Sequence, residues 1–279
     1  MDFLEILKAI ILGIVEGITE WLPISSTGHM ILVDEFLKLN VSSGFKEMFL
    51  VVIQLGAILA VVGLYFDKLI PFSFKRGFSI EKDKMSMWFK IIVACIPAAI
   101  VGVIWDDELN ALFYNYQTVS IMLILFGILF ILIENYNKGK RPRITTISEI
   151  TYQTALIIGI FQLVAAVFPG TSRSGSTILG ALLIGVSRTV AAEFTFFLAV
   201  PIMLGASVLK VFKFGFSFTD SEIVILTTGM IVAFVMSIVA IKFLVNYIKK
   251  HDFKVFGWYR IVLGAVVLLY FAIRNVLFL

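Results

Sequence analysis

Two short stretches of the chain hold residue types that could do chemistry. The first, EGITEWLPISSTGH from 16 to 29, carries Glu16, Glu20, Ser25, Ser26, Thr27 and His29. Glu16 and Glu20 are four residues apart, so a helix puts both on one face. Close carboxylates share a proton, ligate a divalent cation, or act as base and orienter. Ser26 offers a hydroxyl that either attacks or holds a water, while Ser25 and Thr27 divide between helix cap and functional hydroxyl. His29 supplies a proton-transfer group that a pure binding site would not need. The second stretch, FPGTSRSGST from 168 to 177, fixes Arg173, whose planar fork suits bidentate binding of a phosphate.

These groups stand where lipid should be. Of the 279 residues 60% are hydrophobic and only 15% charged, with a mean hydropathy of +1.01, which marks an integral membrane protein of one helical bundle, 1–279, with no soluble domain. MDFLE opens with acids and no small-residue cleavage site follows, so the first apolar run is expected to belong to the mature protein. Full spans are expected near 47–66, 88–105, 118–136, 193–210, 221–247 and 257–277. The cations cluster in 67–90 (Lys75 and Arg76 among them), in KGKRPR and in 249–254, all read as cytoplasmic. The acids Asp106, Asp107 and Glu108 are read as an outer loop following Trp105, and Met1 and Leu279 fall outside as well. The basic pI of about 9.1 therefore reflects membrane orientation and calls for no nucleic-acid partner.

Two segments, 3–39 and 151–188, are left over, each two apolar halves around a Pro-centred polar interruption. At an offset of 146 they match: Ala9 with Ala155, Gly13 with Gly159, Glu16 with Gln162, Pro23 with Pro169, Ser26 with Ser172, and further on Glu47 with Glu193. Three spans lie between the copies, so the second is expected to be inverted, giving repeats of roughly 1–136 and 147–279. Broken, re-entrant helices are tolerated at membrane depth where they line a cavity, and two helix N-termini meeting there favour an anion, phosphate above all. A charge at the centre of a lipid-facing helix costs roughly 2.5–3.5 kcal/mol, so Glu16, Glu20 and Arg173 must face that cavity. The lone Cys95 excludes an intramolecular disulfide, His251 reads as a solvated surface imidazole, Gln54 leans to the cavity, and Glu47 and Glu134 read as exposed at span ends.

EGITE and PGTSRSGST together resemble the two signatures of the undecaprenyl-pyrophosphate phosphatases, the bacitracin-resistance family, and the likeness covers essentially the whole chain. It implies an all-α polytopic fold of six transmembrane helices plus two re-entrant helix pairs in an inverted repeat. It implies hydrolysis of undecaprenyl pyrophosphate to the monophosphate carrier lipid, recycled for cell-wall polymer synthesis, in the bacterial inner membrane with the site facing outside. By that resemblance Glu16, Glu20, Ser26 and His29 of the first motif and Ser172, Arg173 and Thr177 of the second are the functional residues. Glu20, Ser26, His29, Glu16 and Arg173 are expected to be catalytic, Arg173, Ser172 and Thr177 to bind phosphate oxygens, joined by the neighbouring hydroxyls of Ser174, Ser25 and Thr27, and Glu16 and Glu20 to hold a divalent cation, Mg2+ or Ca2+. The partners it implies are the polyprenyl diphosphate and membrane lipid, with a homodimer left open. A transporter or flippase of a phosphate-bearing lipid is the alternative, since architecture does not decide function. A type-two phosphatidic-acid phosphatase would need a further nucleophilic histidine where His251 does not lie, and an intramembrane serine protease would leave Arg173 and the Glu pair without a task. The offset sets Glu20 against Ala166, His29 against Gly175 and Arg173 against Thr27, so the first motif is expected to do the chemistry and the second to hold the diphosphate.

Overall fold

A computed structural model of the chain describes residues 3–73 and 79–277; Met1, Lys75, Arg76 and Leu279 lie outside the described residues. The helices in order are α1 (Phe3–Thr19), α2 (Ser26–Phe36), α3 (Ser43–Leu64), a single turn α4 (Phe66–Leu69), α5 (Lys82–Phe113) and α6 (Tyr116–Asn137). There follow α7 (Tyr152–Val167), α8 (Arg173–Leu183), α9 (Arg188–Phe214), α10 (Asp220–Ile248) and α11 (Lys254–Leu277). The two-residue strands β1 (Phe72–Ser73) and β2 (Ser79–Ile80) pair antiparallel between α4 and α5. Among the described residues six helices, α3, α5, α6, α9, α10 and α11, are long and apolar enough to cross a membrane. They are the six expected spans, and the chain is a multi-pass membrane protein.

Polar caps start these helices in an otherwise apolar chain. Ser42 accepts from the Phe45 amide to begin α3, Asn115 from Thr118 to begin α6, and Ser187 from Val190 to begin α9. Each such cap is worth about 1 kcal/mol. Along α5 the residues Ile92, Ile96, Ile100 and Val103 stay exposed at helical spacing, a face suited to lipid. Helices close on one another through glycines. A Cβ on Gly127 of α6 would lie 2.6 Å from the Gly257 carbonyl oxygen of α11, and one on Gly257 would lie 2.8 Å from that of Gly127. Gly13 of α1 meets α10 and its sequence counterpart Gly159 of α7 meets α5 in the same way.

Two expectations are corrected. No loop begins after Trp105: its φ of −125° and ψ of 17° bend α5, which resumes through Asp106, Asp107 and Glu108 to Phe113. The acids there face cations, Asp106 bonding Lys210 at 3.0 Å and Asp107 bonding Lys213 at 2.9 Å, both on α9. Glu134 is not exposed at a span end. Only 2% exposed, it receives two N–H groups of Arg188 and the Phe253 amide, which satisfies the carboxylate inside the protein.

The short helices come in two pairs, each bonded at its open end. Lys8 of α1 donates to the Lys38 carbonyl just past α2 at 2.7 Å, and the Asn40 amide donates to Glu5 at 2.8 Å. Beyond α8 the Gly185 carbonyl accepts from the Arg143 amide at 2.7 Å, and Ser187 N–H donates to Ile144 at 2.8 Å, joining that end to the chain ahead of α7.

Candidate active site

The two polar interruptions are built alike and touch. Ser25 caps α2, its hydroxyl accepting from Gly28 N–H at 3.3 Å, and Ser172 caps α8, accepting from Gly175 N–H at 3.1 Å. Both have positive φ, 73° and 69°, a backbone costing of order 1–3 kcal/mol for a residue with a side chain. The structural counterpart of Ser172 is therefore Ser25 and not Ser26: PGTS holds one residue more than PIS, so the register slips at the turn. Ser174 donates across the junction to the Glu20 carbonyl at 3.0 Å, which ties one turn to the other.

Glu20 is the centre of the arrangement. Its amide still bonds the Glu16 carbonyl at 3.0 Å, which keeps the two carboxylates on one face as their spacing predicted. One oxygen of Glu20 accepts the Ser26 hydroxyl at 2.7 Å, and the other accepts Nη2 of Arg173 at 2.9 Å. Arg173 is anchored from behind, Nη1 donating to the Thr195 carbonyl at 2.9 Å with its guanidinium over the Trp21 ring. Breaking such a pair by removing one partner strands a charge in a low-dielectric interior, at a cost of about 3–5 kcal/mol. A carboxylate hydrogen-bonded to a serine is the geometry of a base and a nucleophile, and here an arginine orients the base.

His29 lies one turn into α2. Its Nδ1 is 2.7 Å from the Ser25 carbonyl, which can only accept, so Nδ1 carries the proton. Nε2 then faces the Tyr259 hydroxyl of α11 at 2.7 Å, the two rings stacked 6° from parallel. The remaining hydroxyls are placed as follows. Ser172 meets Ser174 at 3.2 Å, and Thr177 bonds the Arg173 carbonyl at 2.9 Å and the Thr195 hydroxyl at 2.8 Å. Thr27 lines a small cavity with Asp106, Asn110, Tyr114 and Pro169.

Several participants escaped the sequence reading. Thr195 and Tyr259 carry no motif, and only the fold brings them in. Arg260 did carry a signal, a charge early in an apolar span: it is fully buried, donates from Nη2 to the Gly170 and Thr171 carbonyls, and crosses beneath the PGTS turn. Gln54 reaches a cavity of about 670 Å3 between α5 and α9, otherwise mostly apolar, with Arg173 and Gln162 at its inner wall and Asp106 and Lys210 further along. Cys95 is buried beside it, His251 is exposed and stacked on Tyr247, and Glu47 is exposed and paired with Lys210.

Among the described residues no three His, Cys, Asp or Glu side chains gather into a metal cage. The Glu pair nevertheless suits a hard cation. Glu16 is 1% exposed and its Oε1 has no hydrogen-bond partner, an acceptor in want of a proton or a metal. Mg2+ commonly takes one or two carboxylates and completes its shell with water and substrate phosphate oxygens.

Comparison with known proteins adds the last element. The family model for Bacitracin resistance protein BacA matches residues 9–266. The chain is 70% identical over 277 residues to the undecaprenyl-diphosphatase of Desulfitobacterium hafniense, covering 99% of this chain and all of that one. It is 74% identical over 273 residues to undecaprenyl-diphosphatase 1 of Clostridium acetobutylicum (98% of this chain, all of that one), and 64% identical over 275 residues to the undecaprenyl-diphosphatase of Enterococcus faecalis (98% of this chain, 99% of that one). With both motifs in contact and the match running through nearly every helix, the chain belongs to the BacA family of bacitracin resistance proteins.

Proposed function

We propose that the chain is an undecaprenyl-diphosphate phosphatase, releasing inorganic phosphate and leaving the lipid monophosphate. The observation that carries the reading is the Glu20 carboxylate set between the Ser26 hydroxyl and the Arg173 guanidinium, each contributed by a different motif. The relatives bearing that activity in their names span the full chain.

In this mechanism Ser26 Oγ attacks the terminal phosphorus while its proton passes to Glu20. The bond to the bridging oxygen breaks and the lipid monophosphate leaves with the electron pair. Water then cleaves the phosphoserine, releasing phosphate and restoring the hydroxyl, with His29 and its Tyr259 partner as proton shuttle. Arg173 and Ser172 hold the phosphate oxygens, while the buried hydroxyls of Ser174, Thr177 and Ser25 fix the two turns through internal bonds and Thr27 lines the neighbouring small cavity. The apolar cavity beside Arg173 accepts the first isoprene units. Glu16 and Glu20 would hold Mg2+ or Ca2+, which supplies charge neutralisation on the diphosphate.

The bonds of Lys8 and Glu5 to the chain past α2, and of Gly185 and Ser187 to the chain ahead of α7, support two re-entrant pairs, and the three spans α3, α5 and α6 between them support entry from opposite sides in an inverted repeat. The basic segments support the orientation. Phe253 N–H on Glu134 brings 249–254 to the end of α6, where Lys138, Lys140, Arg141 and Arg143 follow, so the cations share one face of the bundle. That face is cytoplasmic in the inner membrane, and the site opens outward. Phosphate release from undecaprenyl diphosphate in detergent tests the reading, and counterflow of lipid in sealed vesicles without hydrolysis would replace it with the carrier alternative.

A further inference from the structure

We infer that Arg260 is a positioning residue of the anion site, supplying from behind helix α8 the positive charge that the bound diphosphate compensates. The identity of the anion rests on the phosphatase reading; the electrostatic role does not.

Arg260 is 0% exposed and has no carboxylate partner among the described residues. Its guanidinium lies near the faces of Phe126 and Phe130, at 5.7 and 5.9 Å. Nη2 binds the Gly170 and Thr171 carbonyls, while Nε and Nη1 are buried without acceptors. A buried arginine that spends only one of its nitrogens on carbonyls, with no anion nearby, is an unbalanced charge in a low-dielectric interior. The other guanidinium of the site, Arg173, is already balanced by Glu20 at 2.9 Å. Arg260 is thus the surplus cation.

Its position says what it serves. Nη1 lies 2.5 Å from where a Cβ on Gly175 would be, directly beneath the first turn of α8, so that glycine lets the guanidinium approach. The carbonyls it draws toward α11 belong to the turn that gives Gly170 its φ of 90° and Ser172 its φ of 69°. With those carbonyls held back, and the Gly175 and Ser176 amides taken by Ser172, the Arg173 and Ser174 amides at the start of α8 are left for a ligand on the side where Glu20 and Ser26 stand. Amide dipoles, Arg173 and the Arg260 charge then act on the same anion. A purely structural clamp would need the two carbonyl bonds but not the net charge.

The test separates those roles. Arg260→Met keeps length and fits between Phe126 and Phe130; Arg260→Lys keeps the charge and loses the fork. Binding of methylenediphosphonate to detergent-purified protein is titrated by thermal shift, a readout independent of hydrolysis. Arg260→Met should bind the diphosphonate at least about tenfold more weakly, and Arg260→Lys within about threefold of the parent chain. A folded Arg260→Met protein with unchanged affinity overturns the inference. Should Arg260→Met fail to fold, a folded Arg260→Lys protein that has lost affinity tenfold or more, on the order of a clamp's loss, overturns it equally. A parent chain that binds the diphosphonate through Arg260 yet releases no phosphate from the lipid diphosphate would sink the phosphatase reading and leave this one standing.

Discussion

Ser26 and Glu20, six residues apart across a break between two helices, share a hydrogen bond of 2.7 Å in which serine donates. A helix cannot bring positions six apart together, so the PIS turn with its strained Ser25 exists to make this pair. The first prediction follows. Ser26→Ala should lower kcat by at least about a thousandfold, ~4 kcal/mol of transition-state stabilisation, with the fold intact. Acid quenching of the parent enzyme at early times should yield phosphoserine at Ser26 by mass spectrometry. A Ser26→Ala enzyme retaining about a tenth of kcat would make the hydroxyl a water-holder instead.

Arg173→Lys should not be conservative. The guanidinium bonds Glu20 and the Thr195 carbonyl with two different nitrogens, and a single ammonium cannot span both. Activity should fall about a hundredfold or more with the fold intact. Retention of more than about a third of kcat/KM, a loss under ~0.7 kcal/mol, would remove Arg173 from direct phosphate binding.

Tyr259→Phe removes one hydroxyl and leaves the ring stacked on His29. His29 then loses the partner on Nε2 while keeping the Ser25 carbonyl on Nδ1. A fall in kcat of about tenfold with diphosphonate affinity unchanged is expected, as for loss of an orienting partner of a proton-transfer group. Unchanged kcat would take Tyr259 out of the relay.

How far these arrangements were legible depended on distance along the chain. The six spans were readable because apolar length alone specifies them, and the face shared by Glu16 and Glu20 because one helical turn does. The break after Trp105 was misread because Asp106 and Asp107 look like a loop until Lys210 and Lys213 arrive from α9. Glu134 was misread for the same reason, its partner Arg188 lying 54 residues on. The slip that makes Ser25 the counterpart of Ser172 is one residue in a turn, below what an ungapped repeat alignment resolves. Tyr259 reaches His29 across 230 residues with no motif to announce it, whereas Arg260, a cation in an apolar span, could have been noticed.

Orientation is open to direct labelling. On a Cys95→Ser background, Asp107→Cys and Arg141→Cys should react with an impermeant thiol reagent from opposite sides, 107 outside and 141 cytoplasmic. Both positions labelling from one side would overturn the topology and, with it, the inversion of the second helix pair.

The last prediction concerns how the motifs divide the work. In the free protein the Arg173 guanidinium is held by Glu20, so an incoming diphosphate must compete with a carboxylate for it. Removing that negative charge while keeping the shape should therefore leave ground-state binding unharmed or tighten it. Glu20→Gln keeps an acceptor oxygen but cannot take the Ser26 proton, so kcat should fall by at least about a hundredfold while diphosphonate binds as well as to the parent or better. His29→Asn should behave likewise, since its bonds run to the Ser25 carbonyl and Tyr259 and not to the groups assigned to phosphate. Arg173→Ala should differ in kind. It deletes a contact made before the transition state and leaves Glu20 facing the phosphates unneutralised, so affinity and kcat should both collapse. Titration of the three purified variants with divalent cation chelated decides between the cases, and a Glu20→Gln protein that loses affinity there as severely as Arg173→Ala would sink this division of labour.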